Sequence, residues 1–308
     1  MLSLFCLKTV KLFQYPHYIK AENKKGDKQM KPHVINFHIT DKCNYHCRYC
    51  FAKFHQQDLP LEDAKRVVDT AHDYFTANGI EDGRINLAGG EPMLYPHLEE
   101  IIAYIKSRGM LVSIITNGSR LTAEFCSRMA EHLNMVGISI DAATDAGNAM
   151  LGRCCRGATP DFAELKKACD ILRQSGVRIK INTVVSKLNL NEDMSSVYEM
   201  LQPSKVKFVC VHRVENVNGD MGDLVPTAEE YISFVMRNGN IKNCRVVLEG
   251  PGYMQNAFFM INPQGEVFMN ERGTEKKYGS CLAEPLDQIF GKMPLNIEKY
   301  FERYAEKR

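Results

Sequence analysis

From residue 33 to residue 238 the sequence alternates, six times over, between a short apolar run and a longer amphipathic stretch, and no other feature constrains the fold as tightly. The runs at 33–40, 84–88, 111–116, 135–140, 178–185 and 205–212 read as strands, and the stretches at 61–78, 97–108, 122–132, 161–175, 192–201 and 227–238 as helices. In the first helix Leu61, Ala64, Val67, Val68, Ala71, Tyr74 and Phe75 recur on one face, and Gly79 ends it. Strands that are each followed by a helix must pair in parallel, because a parallel neighbour is reached only through a crossover. Their short apolar character suits strands covered on both faces. A doubly wound sheet and an open partial barrel both satisfy this pattern. A closed eight-stranded barrel needs more units than the chain offers. After residue 240 the pattern changes to β segments at 245–249, 257–261 and 266–269, with a turn at 262–265, and residues 285–308 end in a charged helix.

Composition removes several function classes. With 39 Lys+Arg against 37 Asp+Glu, the chain has no electrostatic case for binding a nucleic-acid polymer. It has no apolar run long enough for a transmembrane segment. Residues 1–32 read as a leader. Its first thirteen residues are apolar but lack a basic start and a small-residue cleavage site, so it is read as a packed or frayed terminus and not as a signal peptide. The outlier is the count of 11 Cys in a chain of 308 residues, odd in number and without an export signal. A reducing cytoplasm is expected, where clustered cysteines serve metals or catalysis. Cys6, Cys126, Cys154, Cys155, Cys169, Cys210, Cys244 and Cys281 are scattered and read as small buried hydrophobes. Cys43, Cys47 and Cys50 form the one cluster.

The distinctive residues fall at the carboxyl ends of the expected strands, where parallel α/β architectures bind ligands. The cysteine cluster follows the first strand, Gly89-Gly90-Glu91-Pro92 the second, and Thr116-Asn117-Gly118-Ser119 the third. Ser139 and Asp141 close the fourth, and Asp141 reads as a turn or helix-start carboxylate. Lys180 and Asn182 lie on the fifth, and Lys205 and Lys207 on the sixth. Three thiolates on one loop hold a soft metal. A structural zinc would take a fourth ligand, for which His38, His46 or His55 is available. A [4Fe–4S] cluster with three cysteines would keep one iron open to an exogenous ligand.

The run Cys43-Asn44-Tyr45-His46-Cys47-Arg48-Tyr49-Cys50-Phe51, with GGEP at 89–92 after the next strand, resembles the two motifs of the radical S-adenosylmethionine (SAM) superfamily. A longer series of local matches resembles the viperin family. It comprises LPLEDAKR at 59–66, INLAGGEP at 85–92, VSIITNGS at 112–119, ISID at 138–141, LGR at 151–153, KINTVVSKLNLNEDM at 180–194 and VKFVCV at 206–211. The chain is similar to the prokaryotic members, which act in antiviral defence. The resemblance implies a partial (βα)6 barrel over 33–245 and a C-terminal extension over 246–308 that covers the active site. It also implies a [4Fe–4S] cluster on Cys43, Cys47 and Cys50, and SAM on the open iron.

By the same resemblance SAM is held by Tyr49, Gly89, Gly90, Glu91, Asn117, Ser139 and Arg153, with Arg153 on its carboxylate and Glu91 accepting from its ammonium. The family cleaves SAM to a 5′-deoxyadenosyl radical, abstracts hydrogen from C4′ of a ribonucleoside triphosphate and loses water. The product is a 3′-deoxy-3′,4′-didehydronucleotide that terminates polymerase chains. The implied nucleotide residues are Asn36, His38, Arg84, Asn86, Lys180, Asn182, Lys205 and Lys207. Independently, polar residues alternating by two on several strands put charges on one face, where a barrel normally has apolar layers. CTP, UTP and GTP stay open, an external electron donor is required, and a monomer is expected. A different radical SAM enzyme, modifying peptides or cofactors, and a zinc-binding interaction module are the alternatives. The chain departs from the animal enzymes at three places: Ala88 replaces a Ser, Phe258 or Phe259 stands where a Tyr is considered a late hydrogen donor, and there is no Trp-ending tail.

Overall fold

The computed structural model describes residues 31–51, 58–219, 221–250 and 252–304. The expected leader lies outside these residues apart from its last two, as does His55.

The chain alternates as its pattern demands. The strands are β1 (Val34–Thr40), β2 (Arg84–Gly89), β3 (Leu111–Thr116), β4 (Met135–Ser139), β5 (Arg178–Val185), β6 (Lys205–Cys210) and β7 (Arg245–Glu249). Between them run α1 (Leu61–Ala77), α2 (Leu98–Ser107), α3 (Ala123–Met129), α4 (Asp145–Met150), α5 (Phe162–Gln174), α6 (Ser195–Leu201) and α7 (Ala228–Asn238). Strands β1 to β7 lie side by side in chain order, and each pair is parallel. A doubly wound sheet would reverse its strand order at a switch point. Here there is none, so the winding is that of a partial barrel.

Each strand gives one face to the helices. Ile35, Phe37, Ile85, Val112, Ile138, Ile181 and Phe208 are buried in one cluster with the apolar stripe of α1 and its successors. Emptying such a position costs about 3–5 kcal/mol for a Phe. The other face carries Asn36, His38, Asn86, Ser113, Lys180, Asn182, Lys205 and Lys207, because side chains alternate along a strand. The two faces thus divide core from site.

The structure corrects several boundaries. The strand at 245–249, assigned to the extension, pairs in parallel with β6 and completes the sheet. The helix expected from 192 starts at Ser195, because the Asp193 carboxylate accepts the Ser195 N–H and bends the preceding turn. The segment 145–150 is a helix that the sequence reading missed; the Thr144 hydroxyl caps it by accepting the Gly147 N–H. Of the scattered cysteines, Cys126, Cys169, Cys210 and Cys281 are buried as expected, whereas Cys154, Cys155 and Cys244 are half-buried.

Beyond β7 the chain returns to the opposite side of β1. Strand β8 (Met260–Ile261) pairs with β1 in parallel, and β9 (Glu266–Glu271) and β10 (Thr274–Ser280) follow as antiparallel strands. Strand β10 was not foreseen, because its sequence, TEKKYGS, lacks apolar alternation. Its signal was the Arg272-Gly273 turn, where φ values of 53° and 89° make the two-residue hairpin link. The stretch 285–308, expected to end in a charged helix, holds two helices, α8 (Leu286–Gly291) and α9 (Ile297–Tyr304), with Pro294 between them. Helix α9 docks on β1 through Tyr300, whose buried hydroxyl accepts the Val34 N–H at 2.7 Å and donates to the Val34 carbonyl at 3.0 Å.

Candidate active site

The cysteine loop is built on backbone contacts. The His46 and Arg48 N–H groups donate to the Gly152 and Leu151 carbonyls at 3.1 Å each, and the Cys50 N–H donates to the Cys47 carbonyl at 3.0 Å. Gly152 has φ +74°, and a Cβ there would lie 2.2 Å from the His46 carbonyl oxygen. On the other flank the GGEP loop runs against the start of the same loop. A Cβ on Gly89 would meet the Thr40 oxygen at 2.2 Å, and one on Gly90 the Lys42 oxygen at 2.3 Å. The glycines therefore admit the chain's own backbone.

Glu91 is fully buried. One carboxylate oxygen accepts from the Thr116 hydroxyl at 2.6 Å and the Met93 N–H at 3.0 Å, and the other accepts from the Asn117 N–H at 2.6 Å. Burial pushes its carboxyl above the usual range, against the pull of these donors. Its first role is to bolt the GGEP loop to the end of β3. Asn117 in turn donates to Asn44 at 2.9 Å and accepts the Ser119 N–H at 2.9 Å.

A second knot lies beyond β4. Asp141 is no helix-start carboxylate: it is fully buried, forms an ion pair with Arg153 at 2.8 Å, accepts from the Tyr49 hydroxyl, and takes the Val184 N–H at 2.6 Å. Arg153 also donates to the Ser139 carbonyl and lies 3.5 Å from the Cys47 sulfur. Burial and the neighbouring Asp141 charge hold the Tyr49 phenol far above its ordinary value, so it is a neutral donor. Tyr49 and Ser139, proposed from separate segments, therefore meet at Arg153, which lies beside Cys47.

The lysines converge as well. Lys180 pairs in register with Lys205, and Asn182 with Lys207, across β5 and β6. Strand β6 is interior to the sheet and Lys207 is 3% exposed, so it is not a solvated edge. Two groups that the sequence reading missed complete the cluster. Glu249, two residues along β7 from the partner of Lys207, accepts from it diagonally. Arg303 on α9 reaches the same Glu249 oxygen at 2.7 Å. Burial, then the nearby Arg303 charge, lowers the Lys207 amine to about 7, with Glu249 opposing. Burial, then Lys207 and Lys205, holds Lys180 well below its ordinary value. Glu249 falls to about 2 because Arg303 and Lys207 outweigh its burial. Burial is the larger cause for the two lysines, and neighbouring cations contribute to all three shifts.

The remaining predicted residues form a polar ladder. Asn86 donates to Asn36 at 2.9 Å and accepts from the Ser113 hydroxyl at 2.9 Å. Asn36 spends its amide on the Phe259 carbonyl at 2.9 Å and the Tyr304 hydroxyl at 2.8 Å, so it ties β1 to the C-terminal segment. Arg84, buried, begins β2 one step outside the ladder. His38 is edge-on to Phe268, and burial lowers its imidazole to about 4, so it is neutral. Phe268 belongs to a cleft shared with Phe51, His212, Met254, Phe258 and Asn270. Phe51 follows Cys50 directly, and Phe258 lies under the Arg303 guanidinium at 4.2 Å. The cleft thus borders both the cysteine loop and the cation cluster. Of the two phenylalanines in the Tyr alignment, Phe258 faces this cleft and Phe259 the core, against Phe290 and Tyr300.

The residues present fit the implied cofactors. Among the described residues no three His, Cys, Asp or Glu side chains converge on a single-ion site. The thiols instead have donors suited to charged sulfur: the Tyr45 N–H lies 3.4 Å from Cys43, and Arg153 beside Cys47. Burial raises Cys43 to about 11 and Cys47 in the same direction, so binding iron releases protons. The Arg153 Nε is buried with no hydrogen-bond partner, a donor left for an incoming acceptor.

Known proteins share this arrangement. Residues 37–201 match the Radical SAM superfamily. An S-adenosylmethionine-dependent nucleotide dehydratase of Flammeovirga pacifica is 30% identical over 87% of this chain and 93% of its own length. Another, from a Thermoplasmatales archaeon, is 31% identical over 88% of this chain and 94% of its own. In fold, the chain is similar to Streptococcus suis SuiB bound to S-adenosylmethionine, with a TM-score of 0.63 and 15% identity over 89% of this chain and 68% of that one. Among the described residues no helix is long and apolar enough to cross a membrane. The chain belongs to the radical SAM superfamily and, within it, to the family of S-adenosylmethionine-dependent nucleotide dehydratases.

Proposed function

We propose that the chain removes water from a ribonucleoside triphosphate to give its 3′-deoxy-3′,4′-didehydro form, a chain terminator serving antiviral defence. The observation that carries this reading is the cation cluster: Lys180, Lys205 and Lys207 on one face of adjacent strands, with Arg303 above them. A triphosphate carries about four negative charges, and such a group needs several cations in a partly dry site. Asn182, in register with Lys207, is placed to donate to the same group. Arg84, His38 and Asn86 line the same face nearer β1, with Asn36 holding the C-terminal segment over it.

Cys43, Cys47 and Cys50 would hold three irons of a [4Fe–4S] cluster. Tyr49, Gly89, Gly90, Glu91, Asn117, Ser139 and Arg153 form the wall that receives S-adenosylmethionine. The cluster and S-adenosylmethionine, when bound, supply a 5′-deoxyadenosyl radical for hydrogen abstraction at C4′. The chain's own part is to hold the ribose beside that chemistry, through the lysines at the phosphates and the cleft at Phe51 and Phe258. It also excludes water, a role we give to the extension after β7. The protein works as a cytoplasmic monomer with an external electron donor, and CTP, UTP and GTP are the candidate substrates.

The test is anaerobic incubation of the iron-loaded protein with S-adenosylmethionine, a reductant and all four ribonucleoside triphosphates. Mass spectrometry should find one of them converted to a product lighter by one water. Formation of 5′-deoxyadenosine with no dehydrated triphosphate would defeat the reading while leaving the radical SAM assignment intact.

A further inference from the structure

Glu249 and Glu91 are both fully buried carboxylates, yet they are satisfied very differently. Glu91 uses both oxygens on three donors. Glu249 concentrates Lys207 and Arg303 on Oε1 and leaves Oε2 buried with no hydrogen-bond partner. The Arg303 contact, though within ion-pair distance at 2.7 Å, is not aligned as a hydrogen bond. A bare buried carboxylate oxygen costs about 1–3 kcal/mol or more, so a bridge kept purely for stability would saturate it.

Helix α9 does not depend on this pair for its position. Tyr300 and Tyr304 fasten it to Val34 and Asn36. The Arg303 guanidinium keeps a second support, the face of Phe258 at 4.2 Å. Glu249 is the last residue of β7 and Gly250 follows it, at the strand end where the sheet opens to ligands.

We propose that Glu249 is an internal stand-in for substrate phosphate: it occupies Lys207 and Arg303 until a polyphosphate displaces it, whereupon Arg303 becomes a further phosphate ligand contributed by the C-terminal helix. This rests on the triphosphate reading given above and adds a specificity device to it. A ligand must offer more negative charge than the carboxylate it replaces. Inorganic triphosphate and nucleoside triphosphates therefore compete effectively, and orthophosphate or a nucleoside monophosphate does not.

The experiment is calorimetric titration of the iron-loaded, SAM-bound protein with inorganic triphosphate and, separately, with orthophosphate. Glu249→Gln should tighten triphosphate binding by about tenfold, equivalent to about 1.4 kcal/mol, and narrow the gap to orthophosphate. Glu249→Asp, which retracts the carboxylate by one methylene, should shift affinity in the same direction by less. Arg303→Gln should weaken triphosphate binding, in the wild-type background and in the Glu249→Gln background alike. Glu302→Gln removes an exposed charge one residue from Arg303 and should change affinity less than about twofold, which separates displacement from general electrostatics. Unchanged or weaker binding in folded Glu249→Gln and Glu249→Asp proteins, or full affinity in Arg303→Gln, overturns the stand-in. If wild type binds triphosphate and Lys207→Ala does not, that failure is confined to Glu249 and Arg303. If wild type binds neither inorganic triphosphate nor any nucleoside triphosphate, the triphosphate reading itself has failed.

Discussion

The two halves of the site solve opposite problems. Around the cysteine loop the polar groups are largely spent on one another: Glu91 on Thr116, Asn117 and Met93, and Asp141 on Arg153, Tyr49 and the Val184 N–H. Across the sheet, between β5, β7 and α9, four cations crowd one carboxylate that is itself half-satisfied. The first half is a frame of mutually paired groups, with the Arg153 Nε left unpartnered. The second holds a buried carboxylate oxygen with no hydrogen-bond partner, and under the proposed function an incoming anion completes it. A frame rewards rigidity, whereas an anion site that must also stand empty is made tolerable by an internal counter-ion.

That contrast can be broken first on the cysteine side, where effects should be largest. Cys47→Ala leaves two thiols, too few to hold the cluster, and 5′-deoxyadenosine formation should fall to background. Iron content and product are measured together, and intact activity would remove Cys47 from the ligand set. Next, Asp141→Asn leaves the Arg153 charge buried without its counter-ion. The expected loss is about 3–5 kcal/mol of folding stability, read from denaturant unfolding. A loss below about 1 kcal/mol would mean the knot is not a frame.

The halves also differ in how far the sequence discloses them. The cysteine loop is local: three thiols within eight positions, a spacing that few other roles require. Its supports were partly legible, since GGEP and Asn117-Gly118 announce tight turns. What they support was not, because the contact of Gly89 with the Thr40 carbonyl exists only once β1 and β2 pair. Asp141 was misread for the same reason, its partner Arg153 arriving from a segment whose helix α4 was unseen. On the cation side Lys180, Lys205 and Lys207 were visible through their alternation along strands. Glu249 looked like the end of a strand and Arg303 like one charge on a surface helix. Their meeting depends on β7 joining the sheet and on α9 docking by Tyr300, neither of which a local pattern encodes. The Pro294 break was legible and was overlooked.

Smaller effects probe the cation side. Lys207→Ala removes one cation and leaves Glu249 to Arg303 alone. Affinity for the nucleoside triphosphate should drop about ten- to hundredfold, about 1.4–2.7 kcal/mol, with affinity for S-adenosylmethionine nearly unchanged. Equal losses in both would make Lys207 structural and merge the two halves into one.

The smallest expected effect, and the one that best separates the halves, is the response to pH. The groups facing Lys207 are Glu249 on β7, Lys205 on its own strand, Lys180 on β5 and Arg303 on α9. Burial, then Arg303, brings its amine down to about 7 from an ordinary value of 10.5, with Glu249 opposing. The sign follows directly. Below about pH 7 Lys207 is charged and attracts phosphate; above it the charge is lost. Triphosphate affinity should therefore fall as pH rises through 7, by at most about tenfold per unit. Stability should move the other way, because between about 7 and 10.5 the unfolded chain holds a proton that the folded chain has released. Binding and melting curves taken from about pH 6 to about pH 8.5 measure both, and Lys207→Gln should flatten the part of each slope that Lys207 contributes. Asp141 faces Arg153, which stays charged throughout this range, so affinity for S-adenosylmethionine should stay nearly level. A triphosphate affinity that stays level as well would place the Lys207 charge outside the phosphate site.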